Sequence, residues 1–263
     1  LTNVNMGLVI SSKASDPAQN GYALYASGSA ALRGFDGAVS LHADAIIEVN
    51  TLGRAIDMAV KTGLTTPARQ VSFADGVERQ EITITSGQVS VQGLGQLSGS
   101  LKLISTTQLI GATTVTQLSI GFDSLTGTLG LGGVGASLAN GRGAVLLRNE
   151  VTGTSVVKRY AVAAEGDVAL SGVSGVELSL NNMHVGWSHW GQDLDTSVRT
   201  ATGTYAVSLT NGEARLRGLA HANIADVLTL DGEVFIESQE NASVTLTDGN
   251  TVSVSQLILG GAG

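Results

Sequence analysis

The densest grouping of side chains able to do chemistry is His184-Val-Gly-Trp187-Ser-His189-Trp190. Two indoles flanked by imidazoles could form a ligand-contact surface, because a Trp face packs well on the apolar face of a sugar. His184, Trp187, His189 and Trp190 are therefore the candidate ligand-binding residues. The same segment also reads as a loop whose Trp side chains cover an edge of a β-core. The corresponding segment of an earlier repeat, described below, has Ile47-Glu-Val-Asn-Thr-Leu52 in its place, which suits either reading.

Other chemistry finds little support. His42, His184, His189 and His221 share no metal-ligand spacing, and with 0 Cys no thiolate site or thiol nucleophile exists. Asp193 and Asp195 form a DxD, and Asp195 has a counterpart in Asp57, yet no acidic calcium loop or nonapeptide repeat occurs. Structural calcium is left open with no site assigned, and no other cofactor is expected. Gly130-Leu-Gly-Gly-Val-Gly135 has the outline of a GxGxxG cradle, but no helix pattern follows to receive a phosphate. There is no GxSxG elbow and no patterned carboxylate pair. The chain reads as a non-enzyme.

The elements that must position these residues alternate with period two. Tyr22, Leu24, Ala26, Ala30 and Leu32 share one phase, and Val39, Leu41, Ala43, Ala45, Ile47 and Val49 share the other. A slip beside Phe35-Asp36-Gly37 predicts a bulge or tight turn. Short runs of Val, Ile, Leu and Thr recur at 81–85, 88–92, 100–104, 115–120, 176–180, 227–230, 234–236 and 244–246. Asp-Gly at 36, 75, 231 and 248 and Asn-Gly at 140 and 211 predict turns between them. The best helical stretch, 52–62, is short and bracketed by glycines, so little or no helix is expected.

A longer repetition overlies the strands. Gly28-Ser-Ala-Ala-Leu-Arg-Gly34 matches Gly166-Asp-Val-Ala-Leu-Ser-Gly172, and the separation of Gly28 from Gly166 defines a repeat offset. Gly53 and Val60 fall on Gly191 and Val198 at that same offset. Thr113 to Gly121 (TTVTQLSIG) matches Val252 to Gly260 (VSVSQLILG) at an offset longer by a single position. A Gly-x-Val/Ala-x-Leu/Val-x-Gly motif starts at Gly28, Gly87, Gly166 and Gly212; six residues apart, its glycines would face one side of one strand and admit close packing. Two β repeat modules follow, residues 1–125 (N-terminally incomplete) and 126–263, the second running into the start of a third. Both ends read as cut from something longer.

Composition narrows the class. Charged residues are only 14% against 43% hydrophobic, which argues against disorder. A net charge of −8 with no Lys/Arg cluster argues against nucleic acid as a partner. No apolar run has the length of a membrane helix.

Val49 to Ile56 (VNTLGRAI), Val71 to Gly76 (VSFADG), Ile84 to Leu103 and Thr116 to Leu147 resemble tandem β-rich repeats of very large bacterial exported proteins, adhesin-like or surface-layer-like. The resemblance implies an extracellular or cell-surface location and, often, calcium dependence. The expected fold is all-β and elongated, an irregular β-solenoid or stacked β-sandwiches. The expected function is a stalk, filament or coat whose partners are neighbouring repeats or other copies of itself. The alternative is a carbohydrate-binding or adhesive module using Trp187 and Trp190, with glycans as partners.

Overall fold

The structure, a computed structural model, describes residues 2–12, 15, 20–31, 39–64, 66–91, 95–131, 134–245, 247 and 249–263. Among the described residues every regular element is a strand and none is a helix. The first eight strands are β1 (Thr2–Ser11), β2 (Gly21–Ala31), β3 (Val39–Asn50), β4 (Ile56–Val60), β5 (Arg69–Phe73), β6 (Arg79–Val91), β7 (Gly95–Ile110) and β8 (Thr113–Leu131). The next eight are β9 (Val134–Thr152), β10 (Ser155–Ser171), β11 (Val176–His189), β12 (Leu194–Arg199), β13 (Thr204–Leu209), β14 (Glu213–Ile224), β15 (Leu228–Thr245) and β16 (Thr251–Ala262).

Twelve strands form one antiparallel sheet in the order β1-β2-β3-β6-β7-β8-β9-β10-β11-β14-β15-β16. The sheet does not close into a barrel, so β1 and β16 are its edges. β4–β5 and β12–β13 are separate hairpins, inserted between β3 and β6 and between β11 and β14. The stretch read as the best helical candidate holds β4. Residue 125 lies within β8, and the sheet runs on through the β8–β9 pairing. No described helix is long and apolar enough to cross a membrane.

The strands are longer than the alternating runs suggest, reaching 19 residues in β8 and β9. Each long strand joins two alternating runs through a bulge. Register shifts fall at Phe122/Leu125 on β8, Glu165/Asp167 on β10 and Asn181/His184 on β11. Ser124, Asn140 and Asn182 adopt φ values of 53°, 54° and 48° there, the left-handed conformation that lets one extra residue be absorbed. Asp167 clamps two of these bulges, accepting bonds from Asn140 Nδ2 (2.7 Å) and the backbone N–H of Asn182 (2.8 Å).

This corrects several turn expectations. Asn140-Gly141 is a bulge inside β9, because Asn tolerates the left-handed region mid-strand as well as in a turn. Asp231-Gly232 lies within β15, opposite His221 and Ala220. Gly76 and Gly212 do sit between strands, at φ 64° and 78°, but link elements that do not pair with each other. The tight hairpins turn instead at Gly111 and Gly153, whose φ values of 62° and 59° suit a two-residue connection. Phe35-Asp36-Gly37 and Asp248 lie outside the described residues.

The Gly-x-Val-x-Leu-x-Gly motif also differs from expectation. Gly166 is in β10 but Gly172 stands just past its end, and Gly212 precedes the strand that holds Gly218. The pair therefore does not share one strand face. Gly34 and Gly93 lie outside the described residues.

Both hairpins lie on the same face of the sheet, over two small cores. The first holds Ala23, Leu52, Ile56, Val71 and Phe73, with Val9, Tyr25 and Val60 packed against it. The second holds Ala144, Leu146, Ala161, Ala163, Trp190, Leu194, Val198, Tyr205, Val207 and Leu209. Ala23 and Ala161, Leu52 and Trp190, Ile56 and Leu194, and Val60 and Val198 are all related by the repeat offset. Phe73 and Leu209 also match, each pairing with the first residue of the partner hairpin strand. β13 alternates buried and exposed along its whole length, as a half-buried strand must. Burying a side chain such as Phe73 or Val207 contributes about 1.5–3 kcal/mol, so these cores fix the hairpins to the sheet.

Candidate functional site

The four residues of the aromatic segment are divided among three environments. Trp187 and His189 point to the face that carries no hairpin. There Tyr160 of β10 meets Trp187 edge-on at 5.1 Å between ring centroids and stacks on His189 at 5.5 Å. Trp187 is 52% exposed. Trp190, past the end of β11, is 5% exposed in the second core, and its carbonyl accepts a bond from Arg159 Nη1 at 2.7 Å. His184 lies on the hairpin face, its Nδ1 3.3 Å from Glu165 Oε2. Period-two alternation separates the segment in this way, and the strand's end places Trp190 under the hairpin. The open-face aromatic set is thus Tyr160, Trp187 and His189. Tyr160 escapes a linear reading because it joins the set only across the β10–β11 register.

The hairpin face carries the charge. Glu165 also binds Arg142 (Nε 3.1 Å), whose guanidinium lies 5.4 Å from the Tyr205 ring centroid. Burial, with the Glu165 carboxylate nearby, pushes the Tyr205 hydroxyl up, and Arg142 works against the shift. Beside this group, Asp123, Ser124, Asn140, Arg142, Thr200 and Thr202 line a cleft of about 420 Å³ at the hairpin tip. Asp123 accepts bonds from the Thr202 backbone N–H (3.2 Å) and hydroxyl (3.0 Å), so its role is to hold the tip.

The most highly connected group lies between the two hairpins. Glu81 of β6 is 1% exposed and faces Glu48 directly across the β3–β6 pairing. Lys102 of β7 forms an ion pair with Glu81 and donates to Thr83 Oγ1 at 3.1 Å. Arg79 Nε stands 3.9 Å from Glu81 Oε2. The fourth partner comes from the other half of the chain: Arg199, at the end of β12, donates to Glu81 Oε2 at 3.0 Å. Burial raises the affinity of Glu48 for its proton, and the Glu81 carboxylate raises it further by charge and hydrogen bonding. Lys102 and Arg79 oppose that shift.

Two hydrogen-bonded carboxyls invite comparison with an acid–base pair. A glycosidase, however, holds its carboxyls about 5–9.5 Å apart across a substrate cleft. Glu48 and Glu81 are direct cross-strand neighbours, Glu81 is buried, and neither lines the cleft at the hairpin tip. The arrangement suits a buried ionic latch.

The acidic residues considered for calcium are otherwise engaged or isolated. Asp193 accepts the Asn211 backbone N–H at 3.0 Å, and Asp57 takes the Gln70 side-chain amide. No group of three or more His, Asp or Glu among the described residues is arranged to hold a metal ion. In the GxGxxG stretch Gly130 and Gly135 pair across β8 and β9, while Gly132 and Gly133 lie outside the described residues.

No family model, curated protein or solved structure matches this chain.

Proposed function

We propose that this chain is a structural repeat segment of a bacterial cell-surface or extracellular protein, serving as stalk, filament or coat through the geometry of its assembly. The observation that carries the reading is the pair of hairpin-capped cores, matched at the repeat offset, on one uninterrupted sheet. Each repeat would be six sheet strands plus one capping hairpin: β1–β8, then β9–β16. The second hairpin lies over β8, and its Arg199 reaches Glu81 of β6. Adjacent repeats thus share a sheet and a charge contact, while each keeps its own core, and such neighbour contacts are how quasi-one-dimensional proteins gain stability and length. Sedimentation velocity over a concentration series tests this. Self-association into progressively larger, elongated species is expected, and a compact monomer at every concentration would contradict it.

A carbohydrate-contact role has one observation in its favour: Trp187 stands half exposed beside His189 and Tyr160 on the open face. Such a surface would use Tyr160 in place of the buried Trp190. Glycan binding lost in Trp187→Ala and kept by the parent would establish it.

A further inference from the structure

We propose that the free edge of β16 pairs antiparallel with the free edge of β1 in a second copy of this chain, in the register of β8 with β9. The proposal rests on the structural-repeat reading and names the surface that assembly would use. Among the described residues β16 pairs only with β15, and β1 only with β2, leaving one row of backbone groups unpaired on each.

The two edges occupy matching positions in the repeat. Gly260 in β16 corresponds to Gly121 in β8 through the TTVTQLSIG and VSVSQLILG match. Gly7 pairs with Tyr25 as Ala144 pairs with Ala163, and Tyr25 and Ala163 are related by the repeat offset. Within the chain Gly121 pairs with Ala144. Transferring that register puts Gly260 opposite Gly7, Leu259 opposite Leu8 and Leu257 opposite Ile10.

Gly260 itself points to a missing neighbour. A Cβ at Gly121 would lie 2.3 Å from the Arg199 carbonyl oxygen, so the bare backbone there is what seats the second hairpin. A Cβ at Gly260 would meet nothing closer than Phe235 at 3.8 Å. Among the described residues nothing packs closely against the missing side chain. In the paired copy, Lys61 of the first hairpin is the repeat equivalent of Arg199, and its carbonyl would settle on Gly260.

The apolar face continues across the same seam. Leu257 and Leu259 are 63% and 68% exposed, and Leu8 and Ile10 are 41% and 72% exposed. Met6, Leu8 and Ile10 line an apolar groove of about 600 Å³ with Tyr22 and Leu24, ready to receive the two leucines. The matching pairs inside the chain are Leu118 with Leu147 and Ile120 with Val145. Two different edges meet in this contact, so it is head-to-tail and does not close on itself.

The chain has 0 Cys, so cross-linking is free of background. Leu257→Cys and Ile10→Cys proteins are mixed under mild oxidant, with Leu257→Cys plus Leu8→Cys as the register control. Directly opposite Cβ atoms sit about 4.5–5.5 Å apart and diagonal ones about 7–8 Å, so roughly tenfold more disulfide dimer is expected with Ile10→Cys. Equal yields, or dominant Leu257→Cys homodimers, would overturn the pairing. Gly260→Val is expected to abolish assembly while leaving the unfolding midpoint unchanged; assembly that survives it also overturns the pairing. If the parent assembles but cross-links elsewhere, the pairing alone fails. A parent that stays monomeric defeats both the pairing and the structural reading.

Discussion

Arg199 and Glu81, 118 residues apart, meet at 3.0 Å where the tip of the second hairpin reaches over the sheet of the first half. The buried carboxylate draws in Arg199 from solvent while Lys102 and Arg79 hold it from the sheet side. This arrangement ties the two halves together and makes several outcomes measurable.

The latch is asymmetric. Lys102 is nearly buried, and its removal leaves Glu81 with too little compensation inside the sheet. Lys102→Met is expected to destabilise by about 3 kcal/mol, the lower range for breaking a buried pair. Arg199 is half exposed, so Arg199→Ala is expected to cost about 1 kcal/mol or less. Urea unfolding of the two variants separates them.

Glu48 has a distinct pH signature. Burial and the Glu81 carboxylate raise its proton affinity in the fold, so the folded state binds more protons than the unfolded chain just above the ordinary carboxylate range. Its contribution is fully present below the unfolded value and is lost as pH rises through the raised one. Glu48→Gln, which cannot ionise, is expected to melt higher than the parent at pH 7 and to lose that advantage in acid. Melting curves of the two proteins, from acid through neutral pH, give the comparison.

Asp167 responds in the opposite sense. The Asn140 side chain and the Asn182 backbone N–H hold its carboxyl below the usual range. Its contribution is present above the unfolded value and lost as pH falls through the folded one. Asp167→Ala is expected to cost about 1 kcal/mol at neutral pH, the typical net worth of a hydrogen bond. The variant and parent should converge in acid, as chemical denaturation at pH 7 and pH 3 would reveal.

The two tryptophans separate core from surface. Trp190→Ala empties part of the second core and is expected to cost about 3–5 kcal/mol. Trp187→Ala is expected to change stability by less than about 1 kcal/mol, because the side chain is half in water. Thermal unfolding, with the remaining indole as fluorophore, reads both.

The all-β class is legible in the sequence, because period-two alternation is local. Gly28 and Gly166 fall in β2 and β10, and Ile56 and Leu194 open the two hairpins. The turns are less legible: Asn140-Gly141 and Asp231-Gly232 lie inside strands, since a bulge or a plain strand position can use the same residues. The site is least legible. Glu48, Glu81, Lys102 and Arg199 come together only through strand register and the hairpin's placement, and no linear spacing encodes either. HVGWSHW is continuous in sequence, yet alternation assigns its residues to two faces and a core.

The most direct test is electron microscopy of the concentrated protein. Twelve strands at about 4.8 Å spacing would advance the sheet by roughly 58 Å per copy. Ribbons or filaments with that axial repeat, and a half-period from the matched hairpins, are expected. Dispersed compact particles, or assemblies without either spacing, would contradict the structural-repeat reading.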